Sequence, residues 1–274
     1  MTAQGTKSYG AIAAELLDRI RSKQPLIHHI TNWVVMNDTA NATLALGALP
    51  VMAHAREEVE EMVGAADALV LNPGTLFPEL VEAMLIAGRR ANERGVPVVY
   101  DPVGVGATRY RTETAERLLK ELRVEVIRGN SGEIGALAGV GGVVKGVESV
   151  EGVADPQAVA RDLAMRRATV VAITGKRDIL SNGTRVLGVD NGHEALKTIT
   201  GSGCMATTVV AIFCAVESDR LIAAASALAC YGLAAEHAAR HARGPGSFRS
   251  LLLDELHLLT AAQLEKGARI VDLA

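Results

Sequence analysis

Short apolar runs alternate with amphipathic segments along most of this chain, and this alternation limits the folds that the chain can adopt. The apolar runs predict strands at Leu26–Ile30, Pro50–Met52, Ala68–Leu71, Val96–Tyr100, Val124–Ile127 and Thr169–Ile173. A strand without polar interruption is buried on both faces of a sheet, and parallel neighbours need a crossover segment between them. The pattern therefore predicts an α/β fold with a mostly parallel central sheet and helices on both faces.

The segments between these strands carry apolar residues at helical spacing or helix-capping residues. They predict helices at Tyr9–Lys23, Asn37–Gly47, Glu57–Ala66, Pro78–Arg94, Thr112–Glu121, Ser131–Ala138, Gln157–Arg167, Met205–Val216, Arg220–Ala242 and Phe248–Lys266. Asn182-Gly183 predicts a tight hairpin turn between strands Asp178–Ser181 and Thr184–Val189. No repeat, charge block or low-complexity linker divides residues 1–274, so we expect a single domain.

The composition argues against several classes of protein. A net charge of −3 and an aromatic content of 3% provide neither the attraction nor the stacking surface that nucleic acid requires. We see no uninterrupted apolar stretch of membrane-spanning length and no apolar signal core in residues 1–10, so we expect a cytoplasmic protein. The cysteines match no zinc pattern. A mean hydropathy of +0.21 favours apolar surface buried between subunits.

Ligands of a parallel α/β sheet bind beyond the carboxyl ends of its strands. Polar or glycine-rich segments follow the predicted strands at 28–32, 72–74, 101–106, 128–133 and 174–176. The glycine motifs of P-loop and dinucleotide-binding proteins are absent from the sequence. Gly201, Ser202, Gly203 and Cys204 instead stand at the N-terminus of an apolar helix, with Cys204 in its first turn, and the amides there would form a phosphate cradle. We expect the helix to lower the pKa of the Cys204 thiol; the alternative is a tight loop with a small core cysteine.

These segments resemble, in order, the motifs of the hydroxyethylthiazole kinase family. The resemblance extends from about residue 12 to residue 259 and rests on Leu26–Asn32, Asn37–Asn41, Pro50–His54, Asn72–Thr75, Asp101–Ala107, Arg128–Asn130, Ile173–Gly175 and Gly201–Met205. It implies a ribokinase-like fold and transfer of phosphate from ATP, with Mg²⁺, to the hydroxyl of 4-methyl-5-(2-hydroxyethyl)thiazole, which salvages the thiazole half of thiamine. It also implies a homotrimer with the thiazole pocket between neighbouring subunits. Ser202, in place of the more common Thr, and Ser131-Gly132, in place of Ala-Ser, leave only the fine geometry open.

The resemblance also implies roles for individual residues. Asp101 and Glu133 would hold Mg²⁺, whereas by themselves they are equally typical of a turn cap and a solvated charge at a helix start. Arg128 and Thr174 would bind ATP; their ordinary alternatives are a surface salt bridge and a turn residue. The thiazole would contact Met52, Gly201 and Asn32, although a lone methionine is more typical of a core. We interpret His28, His29 and His54 as strand-end or pocket-wall residues and not as metal ligands.

Cys204 stands where sugar and pyrimidine kinases of the same fold carry an Asp that accepts the substrate's hydroxyl proton. We expect the amides of Gly201–Cys204 to stabilise the transferring phosphoryl group, while Cys204 orients or deprotonates the hydroxyl. A hydroxymethylpyrimidine kinase, a pyridoxal kinase or an ATP-dependent nicotinamide-hydrate dehydratase would favour Asp at this position. A third hypothesis is a non-catalytic thiazole-binding sensor, which would need neither the phosphate cradle nor the pair of acidic residues.

Overall fold

The computed structural model describes residues 7–140, 143–145, 148–151 and 153–273, so the ends of the predicted domain 1–274 lie outside the described residues. Its strands are β1 (Leu26–Ile30), β2 (Leu49–Val51), β3 (Ala68–Leu71), β4 (Val98–Tyr100), β5 (Val126–Asn130), β6 (Val143–Lys145), β7 (Glu148–Glu151), β8 (Val170–Thr174), β9 (Asp178–Ser181), β10 (Val186–Val189) and β11 (Ile270–Leu273). Its helices are α1 (Tyr9–Lys23), α2 (Met36–Leu46), α3 (Val59–Ala65), α4 (Pro78–Arg94), α5 (Arg109–Glu121), α6 (Ser131–Ala138), α7 (Pro156–Arg167), α8 (Ser202–Cys214), α9 (Arg220–His241), α10 (Pro245–Leu258) and α11 (Ala261–Gly267).

Nine strands form one sheet in the order β11-β10-β9-β8-β5-β4-β3-β1-β2. The strands from β2 to β8 in this order run parallel. The last three pairs, β8 with β9, β9 with β10 and β10 with β11, are antiparallel. The mostly parallel sheet predicted from the apolar runs is therefore confirmed, with an antiparallel extension at one edge.

Alternate residues of the central strands enter two separate cores. Ala68 and Val70 pack with the cluster that contains α1, α8 and α9. Leu69 and Leu71 pack with the opposite cluster, which contains α3, α4, α5 and α7. Because successive side chains of a strand point to opposite faces, this division shows helices on both faces of the sheet, as the sequence predicted.

Helix α9 is an exception to the expectation that no segment reaches membrane-spanning length. By length and composition this helix, Arg220–His241, could cross a membrane, and 89% of its most apolar window is buried inside the protein. Residues such as Ala223, Ala227 and Cys230 are fully buried against the sheet side of the core. Small side chains suit this close packing, and the apolar character of α9 is that of a core helix.

The carboxyl-terminal part of the chain departs most from the sequence prediction. The predicted helix Phe248–Lys266 is wrong, because α10 ends at Leu258 and a new helix, α11, begins after Thr260. The Thr260 side chain accepts the Gln263 N–H at 3.2 Å, and the Gln263 side chain accepts the Thr260 N–H at 2.8 Å. This reciprocal cap starts a new helix. Strand β11, which pairs with β10, was not predicted.

Candidate active site at the carboxyl edge of the sheet

Polar side chains gather where the parallel strands end. Asn32 lies two residues beyond β1, Asn72 follows β3 directly, and Asp101 follows β4 directly. Arg128 lies in β5, and Thr174 is the last residue of β8. Because these strands are parallel neighbours, their carboxyl ends meet at one edge of the sheet. The first turn of helix α8 lies against two of these residues, Asn32 and Arg128.

A chain of side-chain hydrogen bonds joins α8 to the end of β4. Asn32 Nδ2 lies 3.7 Å from Cys204 Sγ and donates to Asn72 Oδ1 at 2.8 Å. Asn72 Nδ2 donates to Asp101 Oδ2 at 3.0 Å. Sequence reasoning identified the segment 72–74 but assigned no role to Asn72. The signal that could have identified it is a lone amide directly after an apolar strand.

Asp101 is buried and linked to α8. Thr207 Oγ1 donates to Asp101 Oδ2 at 2.9 Å, and Arg128 Nη1 lies 4.0 Å from the same oxygen. Burial raises the pKa of Asp101, while Arg128, Thr207 and Asn72 oppose that rise. The carboxylate bonds to side chains of the site and not to a turn amide, so the simple turn-cap alternative does not describe it. Thr207 was not singled out from the sequence.

Glu133 is the second buried carboxylate at this edge. Its Oε1 accepts the Gly104 N–H and its Oε2 accepts the Asn130 N–H, both at 2.9 Å. The second bond belongs to a capping box at the start of α6. Glu133 therefore does stand at a helix start, as the alternative interpretation had it, but it is buried and not solvated. Burial, and then the charge of Asp101, raise the pKa of Glu133 to about 7.

The two carboxylates fit a magnesium ion. Among the residues that the structure describes, no three His, Cys, Asp or Glu side chains are grouped to hold a metal ion. Magnesium in phosphoryl-transfer enzymes needs no such cage, because one or two carboxylates, waters and the substrate phosphates complete its shell. Asp101 and Glu133 repel each other in a buried setting, and a divalent cation would relieve that repulsion.

Arg128 packs against the first turn of α8. Its Nη2 donates to Thr174 Oγ1 at 2.6 Å, and only 9% of the residue is exposed. A Cβ added at Gly203 would lie 2.7 Å from Arg128 Nη1, so the guanidinium rests directly on the backbone of that glycine. Arg128 Nε is buried without a hydrogen-bond partner. The alternative of a surface salt bridge is wrong for this residue, which has donor capacity left for an anion.

Helix α8 begins immediately after Gly201, so its N-terminus lies at the glycines and Cys204 lies in its first turn, as predicted from the sequence. Gly201 has a φ of 81°, and a Cβ there would lie 2.7 Å from Val35 Cγ1. Both features require glycine. Tyr231 donates its hydroxyl to the Ser202 carbonyl at 2.9 Å, which fixes the start of the helix. The first amides of α8 have no intrahelical partner and can bind an anion.

The expectation of a lowered thiol pKa at Cys204 was wrong. Burial, and then the charge of Asp101, raise the pKa of Cys204 to about 12. These two effects outweigh the opposing ones of Asn72, Arg128 and Asn32. A thiol whose pKa is raised in this way stays protonated at neutral pH. Cys204 is thus a neutral thiol in this structure, and its Sγ faces the amide of Asn32.

Met52 lies at the end of β2, one strand away from Asn32, and is half-buried. His54 connects the two strand ends, because its Nδ1 is 3.2 Å from the Met52 carbonyl oxygen and its Nε2 accepts the Thr31 N–H at 3.0 Å. No hydrogen bond described in the structure joins Met52 itself to the cluster around Cys204. His28 lies 2.8 Å from the Ala53 carbonyl, and burial lowers its pKa to about 4, in accord with a structural role.

Comparisons with known proteins agree with one another. The family model described as "Hydroxyethylthiazole kinase family" matches residues 17–262. A hydroxyethylthiazole kinase of Desulforudis audaxviator is 69% identical over 257 residues, which cover 94% of each chain. One of Chloroflexus aggregans is 65% identical over 261 residues, or 95% of this chain and 94% of that one.

Solved structures give the same result. The hydroxyethylthiazole kinase structure from Pyrococcus horikoshii superposes with a TM-score of 0.89 at 44% identity and covers 96% of this chain and 99% of its own. A ribokinase-like superfamily protein of Enterococcus faecalis has a TM-score of 0.64 at 12% identity, covering 89% of this chain and 93% of its own. The latter likeness shows the ribokinase-like fold alone.

Proposed function

The chain belongs to the hydroxyethylthiazole kinase family, and we infer that it transfers the terminal phosphoryl group of ATP to the hydroxyl of 4-methyl-5-(2-hydroxyethyl)thiazole. The product returns the thiazole half of thiamine to biosynthesis. One observation supports this most strongly: the unpaired amides at the start of α8 lie next to buried Arg128 and to the hydrogen-bonded chain from Cys204 to Asp101. A donor phosphate and an acceptor hydroxyl could therefore meet at one point.

Phosphoryl transfer passes through a loose transition state, so catalysis depends on positioning and on stabilising charge. The amides of Gly201–Cys204 bind the transferring group, and Arg128 and Thr174 bind the polyphosphate of ATP. Arg128 is preorganised for this role, because Thr174 holds one of its nitrogens. Donors fixed in advance cost no reorganisation during the reaction.

Magnesium would be held by Asp101 and Glu133, the two buried carboxylates beside the cradle. When bound, the ion supplies charge neutralisation on the phosphates of ATP. The protein holds both carboxylates ready for it: Asn72 and Thr207 bond to Asp101, and two backbone amides bond to Glu133.

The thiazole hydroxyl is oriented by Cys204 and Asn32, with Met52 and Gly201 next to the heterocycle. Cys204 acts as a neutral thiol, because a group with a pKa of about 12 is scarcely available as a base at neutral pH. A loose transition state builds little positive charge on the attacking oxygen. The hydroxyl proton can therefore leave late, and orientation is the contribution that Cys204 makes.

The assembly that supports this site is a homotrimer of single-domain subunits in the cytoplasm. Trp33, Val34, Leu44 and Leu49 are large apolar residues with exposures of 64%, 61%, 53% and 44%. They all lie in the segment from the end of β1 to the first residue of β2, the strand at one edge of the sheet. Clustered apolar exposure of this kind marks contact surfaces. Covering this segment with a neighbouring subunit would place Met52 at a subunit boundary.

A coupled assay with MgATP tests the function directly. Hydroxyethylthiazole, hydroxymethylpyrimidine and pyridoxal are offered in parallel at equal concentrations. We expect turnover of the thiazole alcohol and little with the other two. Binding of the thiazole without phosphorylated product at saturating MgATP would instead support the non-catalytic sensor, and preferred turnover of the pyrimidine or pyridoxal would support one of the other kinases.

A further inference from the structure

Both side-chain hydrogen bonds that the structure describes at the Asp101 carboxylate end on the same oxygen. Asn72 Nδ2 and Thr207 Oγ1 donate to Oδ2, at 3.0 Å and 2.9 Å. Arg128 Nη1 is also nearest to this oxygen, at 4.0 Å. Two hydrogen bonds to one oxygen fix the rotation of the carboxylate group. The other oxygen, Oδ1, is left for a ligand.

The orientation of the Asn72 amide is determined by its neighbours. Its Oδ1 accepts from two donors, Asn32 Nδ2 at 2.8 Å and the Gly74 N–H at 3.1 Å. A flipped amide would place its NH₂ group against these two donors and its oxygen against the Asp101 carboxylate. Asn72 is 1% exposed, so water cannot compensate for such mismatches. The donor therefore has to face Asp101.

Thr207 reaches Asp101 from the helix that carries the phosphate cradle. It lies one turn beyond Gly203 in α8, is fully buried, and its Oγ1 is also 3.3 Å from the Gly203 carbonyl. The hydroxyl thus connects the first turn of α8 to the end of β4. Any displacement of the carboxylate relative to the cradle would break this contact.

We propose that Asn72 and Thr207 are positioning residues of the phosphoryl transfer, which clamp Asp101 Oδ2 and so direct Oδ1 toward a divalent cation. This inference rests on the proposed function, which identifies a nucleotide as the molecule that binds together with the cation. Asn72 has a second task, because it also holds Asn32 on the side of the acceptor hydroxyl. Thr207 contacts Asp101 and the Gly203 carbonyl, and no hydrogen bond that the structure describes joins it to Asn32. The two residues should therefore fail in different ways.

Thr207→Val tests the clamp, and Thr208→Val is its matched control. Both threonines are fully buried in α8, and each Oγ1 lies within hydrogen-bond distance of the carbonyl four residues earlier, but of the two only Thr207 contacts Asp101. Mn²⁺ binding to the full-length protein with ADP is measured by electron paramagnetic resonance, without turnover. Loss of an outer partner of a metal ligand typically costs about 10–100-fold in metal affinity. We expect this loss for Thr207→Val, wild-type affinity for Thr208→Val, and recovery in Thr207→Ser.

Kinetics then separate the two positioning residues. Thr207→Val should lower kcat and leave the KM for thiazole unchanged, whereas Asn72→Leu should lower kcat and also raise that KM. Equal Mn²⁺ affinity in wild type and Thr207→Val would overturn the proposal, as would an equal loss in Thr208→Val. The Mn²⁺ titration does not depend on which alcohol is phosphorylated. A wild-type protein inactive on thiazole would refute the proposed function and leave the clamp to be judged by metal affinity.

Discussion

Gly203→Ala is a single methyl substitution that should separate ATP binding from folding. Gly203 lies in the first turn of α8 with no left-handed φ, so alanine, which is a better helix former than glycine, fits the backbone. The new Cβ would lie 2.7 Å from Nη1 of Arg128. That atom is the end of a flexible side chain, so the guanidinium can rotate away and the protein still folds.

The cost should appear in nucleotide binding. To move, Arg128 has to leave the cradle and break its hydrogen bond to Thr174 Oγ1, which is 2.6 Å from Nη2 in the wild type. A hydrogen bond from a charged donor contributes roughly 1.5–3 kcal/mol, which corresponds to an increase of about 10–150-fold in the KM for ATP. The KM for thiazole should change little, and the melting temperature should stay within a few degrees of wild type.

Steady-state kinetics with each substrate varied in turn, together with thermal unfolding, measure these effects. Gly64→Ala is the matched control, because Gly64 is also helical and a Cβ there meets nothing within 4 Å. A double-mutant cycle with Arg128→Ala tests the cause. If Gly203→Ala acts through the guanidinium, it should add nothing in the Arg128→Ala background. A wild-type KM for ATP in Gly203→Ala, or full additivity with Arg128→Ala, would refute the reasoning.

Three further outcomes are expected. Cys204→Ala should lower kcat by less than about 10-fold, because a neutral thiol only orients the hydroxyl; a loss of 10²–10⁴-fold, as for a general base, would contradict this. Met52→Arg should abolish thiazole binding and spare ATP binding, as measured by calorimetry. Light scattering of the wild type should give three times the chain mass of 28.7 kDa, and an active monomer would refute the trimer. Burial raises the pKa of Asp178 to about 7. The folded state then retains a proton that the unfolded chain releases near pH 4, so Asp178 lowers the stability as the pH rises through 7. Asp178→Asn should lack this contribution, while that of Glu133, whose pKa is also raised to about 7, remains. Between pH 6 and pH 8, urea unfolding should show the wild type losing roughly 1 kcal/mol more than this variant; parallel curves would exclude Asp178 as the cause.

Local pattern in the sequence was sufficient for most of the fold. Strand β9 has the bounds that the turn signal at Asn182-Gly183 predicted. Strands β1 and β3 have the bounds that their apolar runs predicted, because the side chains of a strand buried on both faces are mostly apolar. The polar residues after these strands could be assigned to one edge because parallel strands end together. The break at Thr260 was missed since its cap competes with a continuing helical pattern. Strand β11 was missed because its pairing partner, β10, lies far earlier in the chain, with Val189 paired to Ile270 and Val186 paired to Leu273.

The chemistry of the site was decided by tertiary structure. The sequence named Asp101, Glu133, Arg128 and Cys204 as neighbours but gave the thiol pKa the wrong direction. A pKa depends on the loss of water and on charges that come from other strands, and neither quantity is local in the chain. The contact of Thr207 with Asp101 likewise joins residues 106 positions apart. Sequence pattern therefore determined which residues reach the site, and packing determined their protonation and their partners.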